Sequence, residues 1–245
     1  MKKTFLIFLG VAFLFFNTNE AFAHQLIFSD GMNTKIENSL YIPDSQISWA
    51  MYGEVENNVL FYKFEADQRE PFYASIVIPA LEGLEEFHPS LAIISERQNI
   101  GLINLQSYEN NTDFPFELSE KFNAIVFDYA GEFPGRVSYD PFTQVNYWER
   151  QKIWIEIINP GTYYLAVFDI SENGKFILAV GEIEDSRNAN FFDSFIRAWF
   201  ETKIFFGDYL TAFVSILVTI VIFSGIGYGI FRAGRRIIRK RSKTR

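Results

Sequence analysis

Between Ile36 and Glu184 the apolar residues come in short runs, rich in β-branched and aromatic side chains and separated by Gly, Pro, Asn and Asp, and in two of these runs they fall at every second position. In Phe72–Ile78 this puts Phe72, Ala74, Ile76 and Ile78 on one face, and in Lys152–Ile157 it does the same for Ile153, Ile155 and Ile157. A period of two describes strands packed on a core from one side. Further strands are predicted over Asn58–Ala66, Leu91–Ser95, Ile100–Gln106, Asn123–Tyr129, Thr162–Asp169 and Lys175–Glu182. Asn159-Pro160-Gly161 and Ser171-Glu172-Asn173-Gly174 supply the backbone angles of tight reversals, so the last two runs are expected to form a hairpin. Many short strands with turn signals between them predict a mainly β, antiparallel two-sheet β-sandwich.

The two ends of the chain follow a different pattern. Lys2-Lys3, an apolar run and Ala21-Phe22-Ala23 have the layout of a secretory signal peptide ending at Ala23. Near the other end, Tyr209 to Phe231 carries no charge and is long enough to cross a bilayer as one helix. Before it, Phe191–Phe205 groups Phe192, Phe195, Ile196, Trp199 and Phe200 at helical spacing. Such a segment either rests in the headgroup layer or extends the spanning helix outward. The expected organisation is a signal peptide over 1–23, an extracytoplasmic β-sandwich over 24–186, an amphipathic juxtamembrane segment over 187–207, one transmembrane helix over 208–231 and a basic tail over 232–245.

Charge sharpens this division. Of the 22 Lys and Arg, Lys2 and Lys3 fall in the first segment and eight follow Phe231; of the 30 Asp and Glu, only Glu20 lies outside the stretch between. That stretch therefore carries 12 basic and 29 acidic residues, a charge near −17. Excess Lys and Arg beside a spanning helix marks its cytoplasmic side, which predicts a single-pass cell-membrane protein with the acidic domain outside. The basic tail can also hold anionic lipid, although a topology signal suffices to explain it. An acidic surface does not suit nucleic acid, whose phosphates require clustered Lys and Arg; cations and basic partners suit it better, and solubility alone also explains it. The chain has no cysteine, so a thiol nucleophile is excluded and stability must come from a buried core.

Asn57–Ala66, followed by a strand ending at Pro79, and Pro160–Val167 resemble the bacterial pre-peptidase C-terminal type of jelly-roll domain, over Ser48 to Glu184. The resemblance implies a non-catalytic sandwich of the kind used as an accessory, binding or secretion-related module. It brings no functional residues to carry over. This chain also departs from the usual arrangement in having no catalytic domain beside the module.

Candidate chemistry is sparse. In Val137–Arg150, the residues Tyr139, Asp140, Gln144, Asn146, Tyr147, Trp148 and Arg150 combine aromatic faces with amides and charges, as sugar or peptide recognition requires. Packing of alternate aromatics, with Arg150 paired to a carboxylate, is the competing account. Cleavage after Ala23 would make His24 the N-terminus, where its amine and imidazole could chelate copper together with His88. The turns Glu82–Glu86 and Glu182–Asp185 are acid-rich but lack the alternating spacing of a calcium loop. Gly225 and Gly229 stand four apart in the apolar segment, a spacing that lets two helices approach and predicts a homodimer. Asn110-Asn111-Thr112 fits a glycosylation sequon. No serine-hydrolase, zinc-protease, phosphate-loop or dinucleotide motif occurs, and no cofactor is required. The expected function is a membrane-tethered binding module or accessory subunit with a protein or carbohydrate partner. The rival is a surface-anchored metalloprotein or hydrolase using the N-terminal histidine or acidic residues.

Overall fold

A computed structural model of the protein describes residues 25–97, 102–103, 113–141, 143–184 and 191–241. The predicted signal segment, His24 and the Asn110 sequon lie outside them. The chain forms strands β1 (Gln25–Phe28), β2 (Leu40–Tyr41), β3 (Trp49–Val55), β4 (Val59–Ala66), β5 (Glu70–Pro79) and β6 (Ser90–Glu96), of which β4, β5 and β6 match predicted runs and the first three do not. They continue as β7 (Leu102–Ile103), β8 (Phe122–Phe127), β9 (Val137–Asp140), β10 (Val145–Ile157), β11 (Gly161–Phe168) and β12 (Gly174–Val180).

These strands form two sheets. One has seven strands in the order β1-β3-β12-β5-β10-β7, with β9 also paired to β10; the other has five in the order β2-β4-β11-β6-β8. Most pairs are antiparallel as expected, but β1 runs parallel to β3 and β2 parallel to β4. The sheets are therefore mixed at these edges.

From β3 to β8 every strand lies in the opposite sheet from its predecessor, and the same holds from β10 to β12. This corrects the expected terminal hairpin. β11 pairs with β4 and β6, whereas β12 pairs with β3 and β5, so the 169–173 loop crosses between sheets. Alternation could not reveal this, because a strand crossing to the other sheet buries the same face as one folding back beside its neighbour. The Asn173-Gly174 pair is also used differently. Gly174 is needed for close approach, since a Cβ there would stand 2.6 Å from Phe87 Cδ1. Asn173 Oδ1 accepts the Asn57 N–H at 2.8 Å and so joins the β11–β12 and β3–β4 loops.

The main core fills the space between the sheets. Met51, Phe72, Ile76, Ile153, Ile155, Phe176 and Leu178 from one sheet meet Leu60, Tyr62, Phe64, Ile93, Tyr163, Leu165 and Val167 from the other, all essentially buried. Phe64 stacks on Phe72 at 4.6 Å and 4°, a contact between sheets that aromatic rings favour. A second cluster covers the outer face of the five-stranded sheet, where Phe114 and Phe116 pack edge-on to Phe168. Both faces of β11 are thereby covered, which explains its near-continuous apolar run.

Beyond the sandwich, α1 (Phe191–Phe205) and α2 (Tyr209–Arg241) are separate helices. Within α2, Tyr209–Arg232 has 24 residues and an 18-residue stretch of mean hydropathy 2.3, long and apolar enough to cross a membrane. The break between the helices has a local cause. Gly207 has φ +76°; its N–H bonds the Ile204 carbonyl at 3.0 Å, and the Asp208 N–H bonds the Lys203 carbonyl at 2.8 Å. This closes α1 in a Schellman motif, which requires a left-handed residue that glycine supplies without a Cβ penalty. Asp208 then starts the next helix: its Oδ1 accepts the Thr211 N–H at 3.3 Å as an N-cap.

Candidate functional site

Strands β9 and β10 form the one hairpin of consecutive strands among the described residues, and it carries the residues singled out for ligand binding. The register opposes Asn146 to Tyr139 and Trp148 to Val137, while Tyr147 opposes Ser138. Opposed residues share a face, so the pairing divides the candidates into two sets. Tyr139 is 59% exposed and Val137 54%. Asn146 and Gln144 are also exposed, with Gln144 in the turn at φ +54°. Tyr147, Trp148 and Arg150 are buried. Trp148 shares the face of Tyr139 and Asn146 but is buried further along it in the main core, while Tyr147 lies on the opposite face. A ligand approaching the hairpin therefore meets Tyr139, Asn146 and Gln144, with Tyr147 as support behind them.

That support is built from hydrogen bonds. Asp140 Oδ2 accepts the Thr143 hydroxyl at 2.7 Å, and the Thr143 and Tyr147 hydroxyls are 3.2 Å apart. The Gln144 N–H closes the turn onto the Asp140 carbonyl at 2.9 Å. Burial pushes the Tyr147 hydroxyl far above the usual tyrosine range, with the neighbouring Tyr52 adding to the effect. It stays neutral at any physiological pH.

Arg150 is the strongest anchor. A register shift between Glu149 and Lys152 interrupts the β5–β10 ladder at this point and re-aims the side chain. Its Nε donates to the Phe87 carbonyl at 2.8 Å, Nη2 to the Glu85 carbonyl at 2.8 Å and Nη1 to the Pro134 carbonyl at 2.5 Å. Rings surround the guanidinium: Tyr129, Phe133 and Trp148 have centroids 5.3, 5.5 and 5.7 Å from Cζ. Main-chain carbonyls and ring faces thus take the place of the carboxylate considered in the sequence. Desolvation lowers the Arg150 pKa from its ordinary value. The result joins the β5–β6 loop, the β8–β9 loop and β10 through one side chain. Nothing in the residue types of Glu85, Phe87 or Pro134 signals this, because they contribute backbone.

The remaining candidates separate. His88 lies beside this cluster, its ring 5.0 Å from Phe133 and its Nδ1 on the Glu86 carbonyl. No group of three His, Cys, Asp or Glu residues suited to a metal ion comes together among the described residues. In the Glu82–Glu86 turn, Glu85 Oε2 accepts the Gly83 N–H at 2.7 Å. Gly225 and Gly229 lie on α2 with open space around them in the single chain. One feature was not anticipated: an open cleft of about 530 Å³ at one end of the sandwich, lined by Glu54, Glu56, Asn57, Leu84, Asn173 and Lys175. Leu84 belongs to the loop that Arg150 fastens, so the cleft and the hairpin share a support.

No family model matches the chain, and no curated protein matches it. Among solved structures it is similar to the pre-peptidase C-terminal domain of collagenase from Bacillus anthracis, at 13% identity over 60% of this chain and 97% of that one, with a TM-score of 0.29. The description as a two-sheet β-sandwich followed by one helix apolar enough for a membrane rests on this chain's own strand pairing and composition.

Proposed function

We propose that the protein is a membrane-tethered, extracytoplasmic binding module that works without catalysis, and that its contact face is the β9–β10 hairpin. The observation that carries this is the cross-strand pair of exposed Tyr139 and Asn146 on a hairpin fixed from behind by Arg150 and Tyr147. A ring that covers apolar surface beside an amide that orients a polar group is the minimum equipment for recognising a peptide or a sugar. Holding the pair on a rigid scaffold reduces the entropy lost on binding. The apolar part of α2 supports the tether, and the basic residues after Phe231 support a cytoplasmic tail with the acidic sandwich outside.

Affinity capture from detergent-solubilised native membranes tests the reading. Wild-type protein should retain a partner that Tyr139→Ala combined with Asn146→Ala loses, while the melting temperature of the sandwich stays unchanged, since both side chains are exposed. Equal capture of the same partner by both proteins would remove the hairpin as the contact face.

A further inference from the structure

We propose that α1 lies in the headgroup layer of the membrane, with Ile196, Phe200 and Ile204 facing the acyl chains. These three residues, spaced four apart, form one stripe along the helix and are 48%, 38% and 39% exposed. The i, i+4, i+8 spacing turns only slowly around a helix, so the stripe is continuous. Arg197 flanks it, paired with Glu201 at 2.7 Å and itself 64% exposed. Ala198 and Thr202, on the other side, are buried. An exposed apolar stripe beside an ion pair is a surface for the boundary between water and hydrocarbon.

The path of the chain identifies the occupant. Only Phe206, Gly207 and Asp208 separate α1 from α2, and the four steps from Phe205 to Tyr209 reach at most about 14 Å. The C-terminal end of α1 is thus held close to the residue where the apolar span begins. The alternative of one continuous helix does not fit the geometry, because the Gly207 motif ends α1 and Asp208 caps a new helix. Asp208 also braces the corner: Lys203 Nζ lies 3.5 Å from its Oδ2 while Oδ1 caps α2. A bilayer that takes in α2 therefore presents its surface to α1 at close range. The inference rests on α2 spanning the membrane, and the experiment separates the two.

The chain has no cysteine, so single cysteines can carry nitroxide labels in the full-length protein reconstituted in phosphatidylcholine–phosphatidylglycerol nanodiscs. Labels at positions 200 and 204 should show oxygen-over-nickel accessibility close to that of a label at 220 within the span. Their values should exceed several-fold those at 197 and at the exposed sandwich position 170. A label at 220 that reads as lipid, with 200 and 204 matching 170, would overturn the docking of α1 and leave the anchor standing. If 220 itself reads as water, the spanning helix fails and the docking fails with it.

Discussion

Arg150 donates its Nε–H to the Phe87 carbonyl at 2.8 Å, and Phe87 in turn lies where a Cβ on Gly174 would be, 2.6 Å from Cδ1. The β10 bulge, the β5–β6 loop and the crossover into β12 are thus coupled by one cation and one ring. Replacing Arg150 with Met removes the donors to the buried Phe87 carbonyl and to the part-buried Glu85 and Pro134 carbonyls, and a buried group left unmet costs about 1–3 kcal/mol. A loss of about 3 kcal/mol in chemical denaturation is expected. Arg150→Lys should recover little of it, because an ammonium cannot reproduce the planar fork.

The glycines at close approaches make a graded series. At Gly53 a Cβ would stand 2.6 Å from Phe176 Cζ and 2.9 Å from the Tyr62 hydroxyl. Both neighbours are buried, so Gly53→Ala and Gly174→Ala should each cost about 1–3 kcal/mol through overpacking. Gly83 has open space but φ +89°, so Gly83→Ala should cost only the backbone strain, about 1 kcal/mol. Thermal melts of the three variants check the order.

Alkaline pH should unfold the sandwich earlier than its carboxylate-rich composition suggests. Burial holds the hydroxyls of Tyr62 and Tyr147 above the usual tyrosine range, while in the unfolded chain both titrate near pH ~10. Their folded values are raised, so the associated stability is complete below pH ~10 and is lost as pH rises above it. Each phenol should contribute a loss of about 1.4 kcal/mol per pH unit there. Denaturation curves between neutral and strongly alkaline pH should show it, and Tyr62→Phe should make the decline shallower by one such increment.

Asp208 serves both helices at their junction. Its carboxylate is held below the ordinary range, first by the Thr211 hydrogen bond and to a smaller degree by Lys203. That stabilisation is present above the unfolded carboxylate range and is lost as pH falls through the folded value. Asp208→Ala should remove about 1 kcal/mol of cap energy and increase hydrogen exchange in the first turn of α2. Asp208→Asn keeps a capping oxygen and should preserve most of the protection.

The sequence carried some of this architecture openly and concealed the rest. Strands such as β5 and β11 were readable because Phe72, Ala74, Ile76 and Ile78 alternate toward one core and the run after Gly161 is β-branched and aromatic. β3 was not anticipated: Gly53 interrupts its pattern, and that glycine is there so that Phe176 and Tyr62 can approach the backbone. Sheet membership was hidden as well, since Leu165 and Leu178 face the same core from opposite sheets. In the candidate site, the residue types of the hairpin were visible, but their exposure was not: Tyr139 and Asn146 share a face with Trp148, which is buried in the main core, and Tyr147 is buried on the other face. The role of Arg150 depends on carbonyls 63 to 65 residues earlier in the chain and 16 residues before it, which no local pattern announces.

The most direct test of a tethered binding face is photocrosslinking from position 139 of the full-length protein in native membranes. A photoreactive side chain there should give a discrete adduct with a protein or glycan partner, and the same group at exposed Ile170 should not. No adduct from 139, or the same adducts from 139 and 170, would contradict the account.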